Sequence, residues 1–134
     1  MFCYGIYAAS HVVNRAYTPH LARLGLTYPQ YITLTLLWER DGQKVSELAE
    51  TLRMKTSTLT PLIKRLETQG YVCRTADTKD RRAVLVTLTE HGRQLRHKAP
   101  DITACMVSGT TLSQHELETL QDLLLRLTEG VAES

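Results

Sequence analysis

STLTPLIKRLETQG (residues 57–70) runs straight into YVCRTADTKDRRAVLVTLTEHG (residues 71–92), and this stretch decides the fold. In its first half Leu59, Leu62, Ile63 and Leu66 recur at the i, i+3, i+4, i+7 spacing of one helix face. The opposite face carries Ser57, Thr58, Thr60, Lys64 and Thr68. Pro61 is expected near the helix start, where a missing N–H is tolerated, and Gly70 ends the helix. In the second half, residues 71–75 and 83–88 alternate and are rich in Val, Leu, Thr and Tyr, as strands do. The loop between them, 76–82, sets Asp80, Arg81 and Arg82 in a row.

Upstream, KVSELAETL (44–52) has Ser46 as a possible cap and Glu47 at the positive helix N-terminus. Its Leu48, Ala49 and Leu52 share a face, and RMKT (53–56) makes a tight turn into the next helix. Two short helices, a tight turn and a basic hairpin define a winged helix-turn-helix. Further out, YPQYITLTLLWER (28–40) is apolar nearly all round and reads as a central helix, with Pro29 in its first turn and Asp41-Gly42 as the following turn. Residues 2–24 read as a helix closed by Gly25. After the hairpin, Thr89 caps a further helix that Pro100 would kink or interrupt. SQHE (113–116) is a capping box for a last helix with Leu117, Leu120, Leu124 and Leu127 on one stripe.

The expected fold is therefore mainly α with a small β-wing, in one domain over 1–134. Residues 28–89 would form the DNA-binding lobe. Residues 1–27 and 90–134 would form a helical dimerisation region from both termini, because their apolar stripes have no sheet to cover them. A two-fold homodimer would place two recognition helices about 34 Å apart, for a pseudo-palindromic double-stranded DNA site.

Composition agrees with a globular chain: 134 residues, 43% hydrophobic and 22% charged. No apolar stretch reaches the ~18 residues of a membrane span, so no membrane role is expected. There is no secretory signal, which points to the cytoplasm. The chain opens abruptly inside an apolar-periodic segment, as a chain trimmed at its N-terminus would. Net charge is only +2, yet residues 64–98 hold nine Lys or Arg against four acids, as a local anion-binding face does. Cys3, Cys73 and Cys105 form neither a disulfide framework nor a zinc pattern, and the five histidines show no metal-ligand spacing. No metal, no cofactor and no enzymatic reaction are expected.

The physics of such a lobe is direct. The second helix is slim enough for the major groove, where base pairs display distinct donors and acceptors. Ser57, Thr58 and Thr60 can reach phosphates or base edges, and Lys64 and Arg65 can neutralise phosphates. Arg81 and Arg82, at a thin tip, can enter the adjacent minor groove. Asp80 is expected to hold an arginine by a charge-assisted hydrogen bond.

DRRAVLVTLTEHG (80–92) matches the wing signature of the MarR family of bacterial transcription regulators: D-x-R, then V-x-L-T-x-x-G. CYGIYAAS (3–10), AYTPHLARLGLTYPQYITLTLLWE (16–39) and STLTPLIKRLETQG (57–70) resemble the organic-hydroperoxide-sensing OhrR branch of that family. The resemblance implies a repressor that releases operator DNA when an organic hydroperoxide oxidises Cys3, the matching first-helix cysteine. It implies that Tyr7, Tyr17 and Tyr28 hydrogen-bond the thiolate or the peroxide. Phe2, Ile6 and Trp38 would suit an organic peroxide. Cys105 sits roughly where some members keep a resolving cysteine; others use a small thiol instead. Cys73 reads as structural or incidental. Three alternatives stay open: a MarR-type regulator answering a small aromatic ligand without cysteine chemistry; a thiol peroxidase, against which the basic wing argues; and a structural DNA-bridging protein, which would bind with little sequence preference.

Overall fold

The computed structural model describes residues 1–133. The first helix, α1 (Phe2–Ala22), ends where Gly25 takes a left-handed conformation, φ 69°. There the Leu26 N–H reaches the Leu21 carbonyl at 3.1 Å and the Gly25 N–H reaches Ala22 at 3.1 Å, a paired closure that satisfies two orphan carbonyls. Thr27 then caps α2 (Tyr28–Glu39): its N–H donates to the Gln30 carboxamide at 2.9 Å while its hydroxyl accepts from the Gln30 N–H. Pro29 lies in the first turn, as expected. Helix α2 is central, burying Gln30, Tyr31, Thr33, Leu34 and Leu37.

Asp41-Gly42 turns the chain into a two-residue strand, β1 (Gln43–Lys44), which the sequence reading missed. Two residues are too short to show alternation; only the pairing of Gln43 with Val86 and Lys44 with Leu85 reveals the strand. It runs directly into α3 (Val45–Leu52), so the extended residue before the helix is Lys44 and not the expected Ser46. The Lys44 N–H donates to the Glu47 carboxylate at 3.2 Å. Helix α4 (Thr56–Thr68) starts one residue earlier than the sequence suggests. Pro61, expected near the helix start where no N–H is needed, is the sixth residue and lies inside the helix, where it denies the Ser57 carbonyl a helical donor.

Strands β2 (Val72–Ala76) and β3 (Val84–Leu88) pair antiparallel from Val72 opposite Leu88 to Ala76 opposite Val84, giving the order β1-β3-β2. Thr89 caps α5 (Glu90–Leu95), accepting from the Gly92 N–H at 3.0 Å. A 3-10 turn, Arg96–Lys98, interrupts the helical run before α6 (Ala99–Ser108), whose first turn holds Pro100. The capping box forms as expected, Ser113 N–H to Glu116 at 2.9 Å and Glu116 N–H to Ser113 at 3.1 Å, and opens α7 (Gln114–Glu133).

The chain divides into two compact units, Met1–Ile102 and the segment from Thr103 onward. The first has a continuous core in which Leu21, Leu34, Leu37, Leu48, Leu59, Ile63, Leu66 and Val86 are fully buried. The second holds the end of α6 and all of α7, where Leu120, Leu123, Leu124 and Leu125 are exposed and Leu117 and Leu127 half-buried. Among the described residues no helix is long and apolar enough to cross a membrane.

Candidate nucleic-acid interface and cysteine site

Helix α4 is seated by Leu59, Ile63 and Leu66, which are fully buried. That seating turns Ser57, Thr58, Lys64 and Arg65 outward, all exposed. Thr60 is half-buried, and its hydroxyl donates to the Thr56 carbonyl at 2.8 Å. It lines a cavity of about 290 Å³ between α4 and the wing, shared with Arg74, Asp80, Arg82 and Val84. The recognition face and the wing therefore border one concave surface.

The wing loop is built by two aspartates. Asp77 donates its N–H to the Ala83 carbonyl at 3.0 Å and accepts the Lys79 N–H on Oδ1 at 3.1 Å. Asp80 accepts the Arg82 N–H on Oδ1 at 3.0 Å, and its carbonyl accepts the Ala83 N–H at 3.0 Å. Asp80 thus holds Arg82 by a charge-assisted bond to its backbone N–H. A carboxylate two residues before the N–H it accepts closes a turn, which positions the Arg82 backbone and leaves both guanidinium groups free. Arg81 and Arg82 are exposed.

The wing's base uses residues that the sequence reading passed over or took only as signature. Asp41 accepts the Gly42 N–H at 2.8 Å and the Leu88 N–H at 2.9 Å, tying the turn before β1 to the end of β3. Gly92 is packed so tightly that a Cβ there would collide with the Tyr71 carbonyl. That same carbonyl accepts the Thr89 N–H at 3.0 Å, and the Trp38 indole donates to the Gly92 carbonyl at 2.9 Å. The Asp41-Gly42 dipeptide was the only sequence signal for the first of these ties.

Charge pairing divides the lobe. Arg40 pairs with Glu47 at 2.9 Å, Lys44 with Asp77 at 3.7 Å, Arg74 with Glu67 at 3.1 Å and Arg93 with Glu90 at 3.3 Å. Among the described residues, the side chains of Arg53, Lys55, Lys64, Arg65, Lys79, Arg81 and Arg82 form no ion pair. These unpaired cations lie on the turn before α4, on α4 itself and on the wing loop. Unneutralised charge concentrated this way attracts a polyanion.

Cys3, Cys73 and Cys105 are free thiols and all exposed. Cys3 lies on α1 one turn before Tyr7, beside exposed Phe2, Tyr4 and Ile6. The Tyr7 ring meets His11 edge-on at 4.5 Å. Tyr17 and Tyr28 form a separate cluster, with ring centroids 5.1 Å apart and Tyr31 at 5.6 Å from Tyr17. Burial first, then the neighbouring phenols, pushes Tyr17 and Tyr28 above the ordinary phenol range, so both stay O–H donors at neutral pH. Fourteen residues of unbroken helix separate Tyr17 from Cys3, about 21 Å at 1.5 Å per residue. The structure thus joins Cys3 with Tyr7 and Tyr17 with Tyr28, but not the two pairs within one chain. Trp38 packs edge-on against Tyr31 at 6.0 Å. Cys105 belongs to the second unit, and Cys73 stands opposite Thr87 in the wing. Among the described residues no three His, Cys, Asp or Glu side chains cluster as a metal site would.

A three-stranded antiparallel wing beside a helix-turn-helix defines a winged-helix protein. The MarR family model matches residues 26–84. The organic hydroperoxide resistance transcriptional regulator of Bacillus subtilis (strain 168) is 39% identical over 127 residues, spanning 95% of this chain and 86% of that protein. Reduced AbfR bound to DNA, a protein of Staphylococcus epidermidis, superposes with a TM-score of 0.81 at 28% identity, over 98% of this chain and 90% of that one. Disulfide-formed AbfR gives a TM-score of 0.70 at 30% identity, over 99% and 90%. The chain belongs to the MarR family of transcriptional regulators.

Proposed function

We propose that this regulator is a repressor whose hold on operator DNA is released when an organic hydroperoxide oxidises Cys3. The observation that carries the reading is a free, exposed Cys3 thiol one helical turn from Tyr7, on an apolar stretch of α1. Its thiolate attacks one peroxide oxygen and the O–O bond breaks. Sulfur keeps that oxygen as a sulfenic acid, and the other leaves, protonated, as the alcohol. The thiol of Cys105 from a second copy of the chain then displaces water from the sulfenic acid to give an intersubunit disulfide.

Tyr17 and Tyr28 lie too far along the chain to serve their own Cys3, so their phenols act on the thiol of a second copy. The exposed apolar residues of α1 and α7 supply that homodimer's interface, with residues 1–27 and 90–134 as dimerisation region and 28–89 as DNA-binding lobe. In this dimer α4 enters the major groove of a pseudo-palindromic site with Ser57, Thr58, Thr60, Lys64 and Arg65. Arg81 and Arg82, on the turn that Asp80 closes, reach the minor groove. The setting is the cytoplasm, where reducing conditions keep the thiols ready. The AbfR structures support the reading: reduced AbfR is bound to DNA, and AbfR also takes a disulfide form.

The test is a mobility shift on a genomic operator fragment with and without cumene hydroperoxide, alongside non-reducing mass spectrometry. Loss of the shifted band, together with a link between residues 3 and 105, is the expected result. Cys3→Ser should keep DNA binding and lose the response. An unchanged shift after confirmed Cys3 oxidation rejects the reading and favours a regulator of the small-ligand type.

A further inference from the structure

Three helices in the first unit end with the same pair of backbone hydrogen bonds, and one of them breaks the residue rule. At Gly25 and Gly70 the left-handed position is filled by glycine, which pays no Cβ penalty there. At the end of α3 it is filled by Arg53, φ 55°, with Met54 N–H on Ala49 at 3.0 Å and Arg53 N–H on Glu50 at 3.2 Å. Arg53 is the one non-glycine with positive φ among the described residues. Two positions on, Lys55 occupies the N-cap of α4 and makes no side-chain capping bond, where Ser, Thr, Asp or Asn would. Both side chains are exposed, and among the described residues neither has an ion-pair partner. Met54 between them packs on the core, so the turn is anchored with its two cations facing out.

We infer that Arg53 and Lys55 form a phosphate clamp on the α3–α4 turn, gripping the DNA backbone beside the recognition helix at a cost in fold stability. The inference rests on the DNA-binding reading above. A residue that opposes the local backbone preference persists where its side chain serves a ligand. Guanidinium and ammonium groups three ångströms from phosphate oxygens are the simplest such use.

The opposed signs make the test decisive. The probe is a mixed-sequence duplex of about 30 base pairs, titrated by fluorescence anisotropy across salt concentrations, because backbone contacts do not need the operator. Arg53→Gly should raise Tm by about 3 °C by relieving the left-handed side chain. It should also weaken binding about three- to tenfold and lower the log-log salt slope by about 0.9 for each protomer in contact. Lys55→Ser should move both readouts the same way by supplying a cap, and Arg53→Lys should keep the wild-type slope. Wild-type affinity and slope in Arg53→Gly would overturn the clamp while leaving the DNA-binding reading intact. Absence of salt-dependent binding by the wild-type chain would overturn both.

Discussion

At the base of the wing, Thr89 donates its N–H to the Tyr71 carbonyl and accepts the Gly92 N–H, Trp38 donates to the Gly92 carbonyl, and Asp41 accepts the Leu88 N–H, with donor–acceptor distances of 2.9–3.0 Å. At its tip the turns are just as closed along the backbone, yet among the described residues Lys79, Arg81 and Arg82 hold no ionic partner. The difference separates two jobs within a few residues. The base fixes where the wing points, through part-buried hydrogen bonds and a Gly92 position that has no room for a Cβ. The tip fixes only a backbone path and leaves its charge for a polyanion, whose counterions are released as phosphates are neutralised. Changes at the base should therefore register as lost stability, and changes at the tip as lost affinity.

The largest expected effect is at Gly92. Gly92→Ala adds a methyl that meets the Tyr71 carbonyl oxygen and crowds Leu88 Cδ2 at 3.3 Å, with backbone as the obstacle. Urea denaturation should show a loss of about 2–4 kcal/mol. Unaltered stability would mean that the base is not locked. At the tip, Arg81→Ala and Arg82→Ala should each weaken duplex binding several-fold and lower the salt slope by about 0.9 per contact, with stability within about 0.5 kcal/mol of wild type. A large stability loss in either variant would erase the division. Asp80 sharpens it. Asp80→Asn keeps an acceptor for the Arg82 N–H and should bind DNA nearly as wild type. Asp80→Ala loses the turn and should bind several-fold more weakly. Equal weakening of both would show that the carboxylate's charge matters after all.

How far the sequence reveals this follows from the length of each signal. The α4 stripe of Leu59, Ile63 and Leu66, the Ser113 capping box and the Thr89 cap are short-range patterns, and each forms as read. Strand β1 has only two residues, so its pairing depends on a partner more than 40 residues away and leaves no periodicity behind. Ser46 was misread because strand β1 displaces the helix start by tertiary pairing, which a capping preference cannot register. The sequence pairs Asp80 with an arginine but does not name the donor, which is the Arg82 backbone N–H two residues on. The cysteine site was legible as a set of residues through resemblance alone. Its geometry was not, because Tyr17 lies about 21 Å along α1 from Cys3 and Tyr28 packs beside Tyr17 from the next helix.

The smallest expected effect lies between base and tip, at Glu67. Its carboxylate accepts the Arg74 N–H at 3.0 Å and the Arg74 Nε at 3.2 Å, fastening β2 to the end of α4. The backbone bond first, and then the guanidinium, hold its carboxyl below the ordinary 4.5. A depressed carboxyl stabilises the fold fully above the unfolded value and loses that contribution as pH falls through the folded one. Glu67→Gln keeps an acceptor and removes only the charge, so its Tm should lie slightly below wild type at pH 7 and converge with it as pH falls through the lowered folded value. A gap that persists into acid would mean that shape, not charge, makes the tie. The same variant tests the boundary of the DNA face. Arg74 lines the cavity beside Arg82, and freeing its guanidinium from Glu67 adds one cation to that surface. Duplex binding at low salt should then tighten about twofold with a steeper salt slope. Weaker binding would instead assign the Arg74–Glu67 pair to the base, as a fixture that aims the wing.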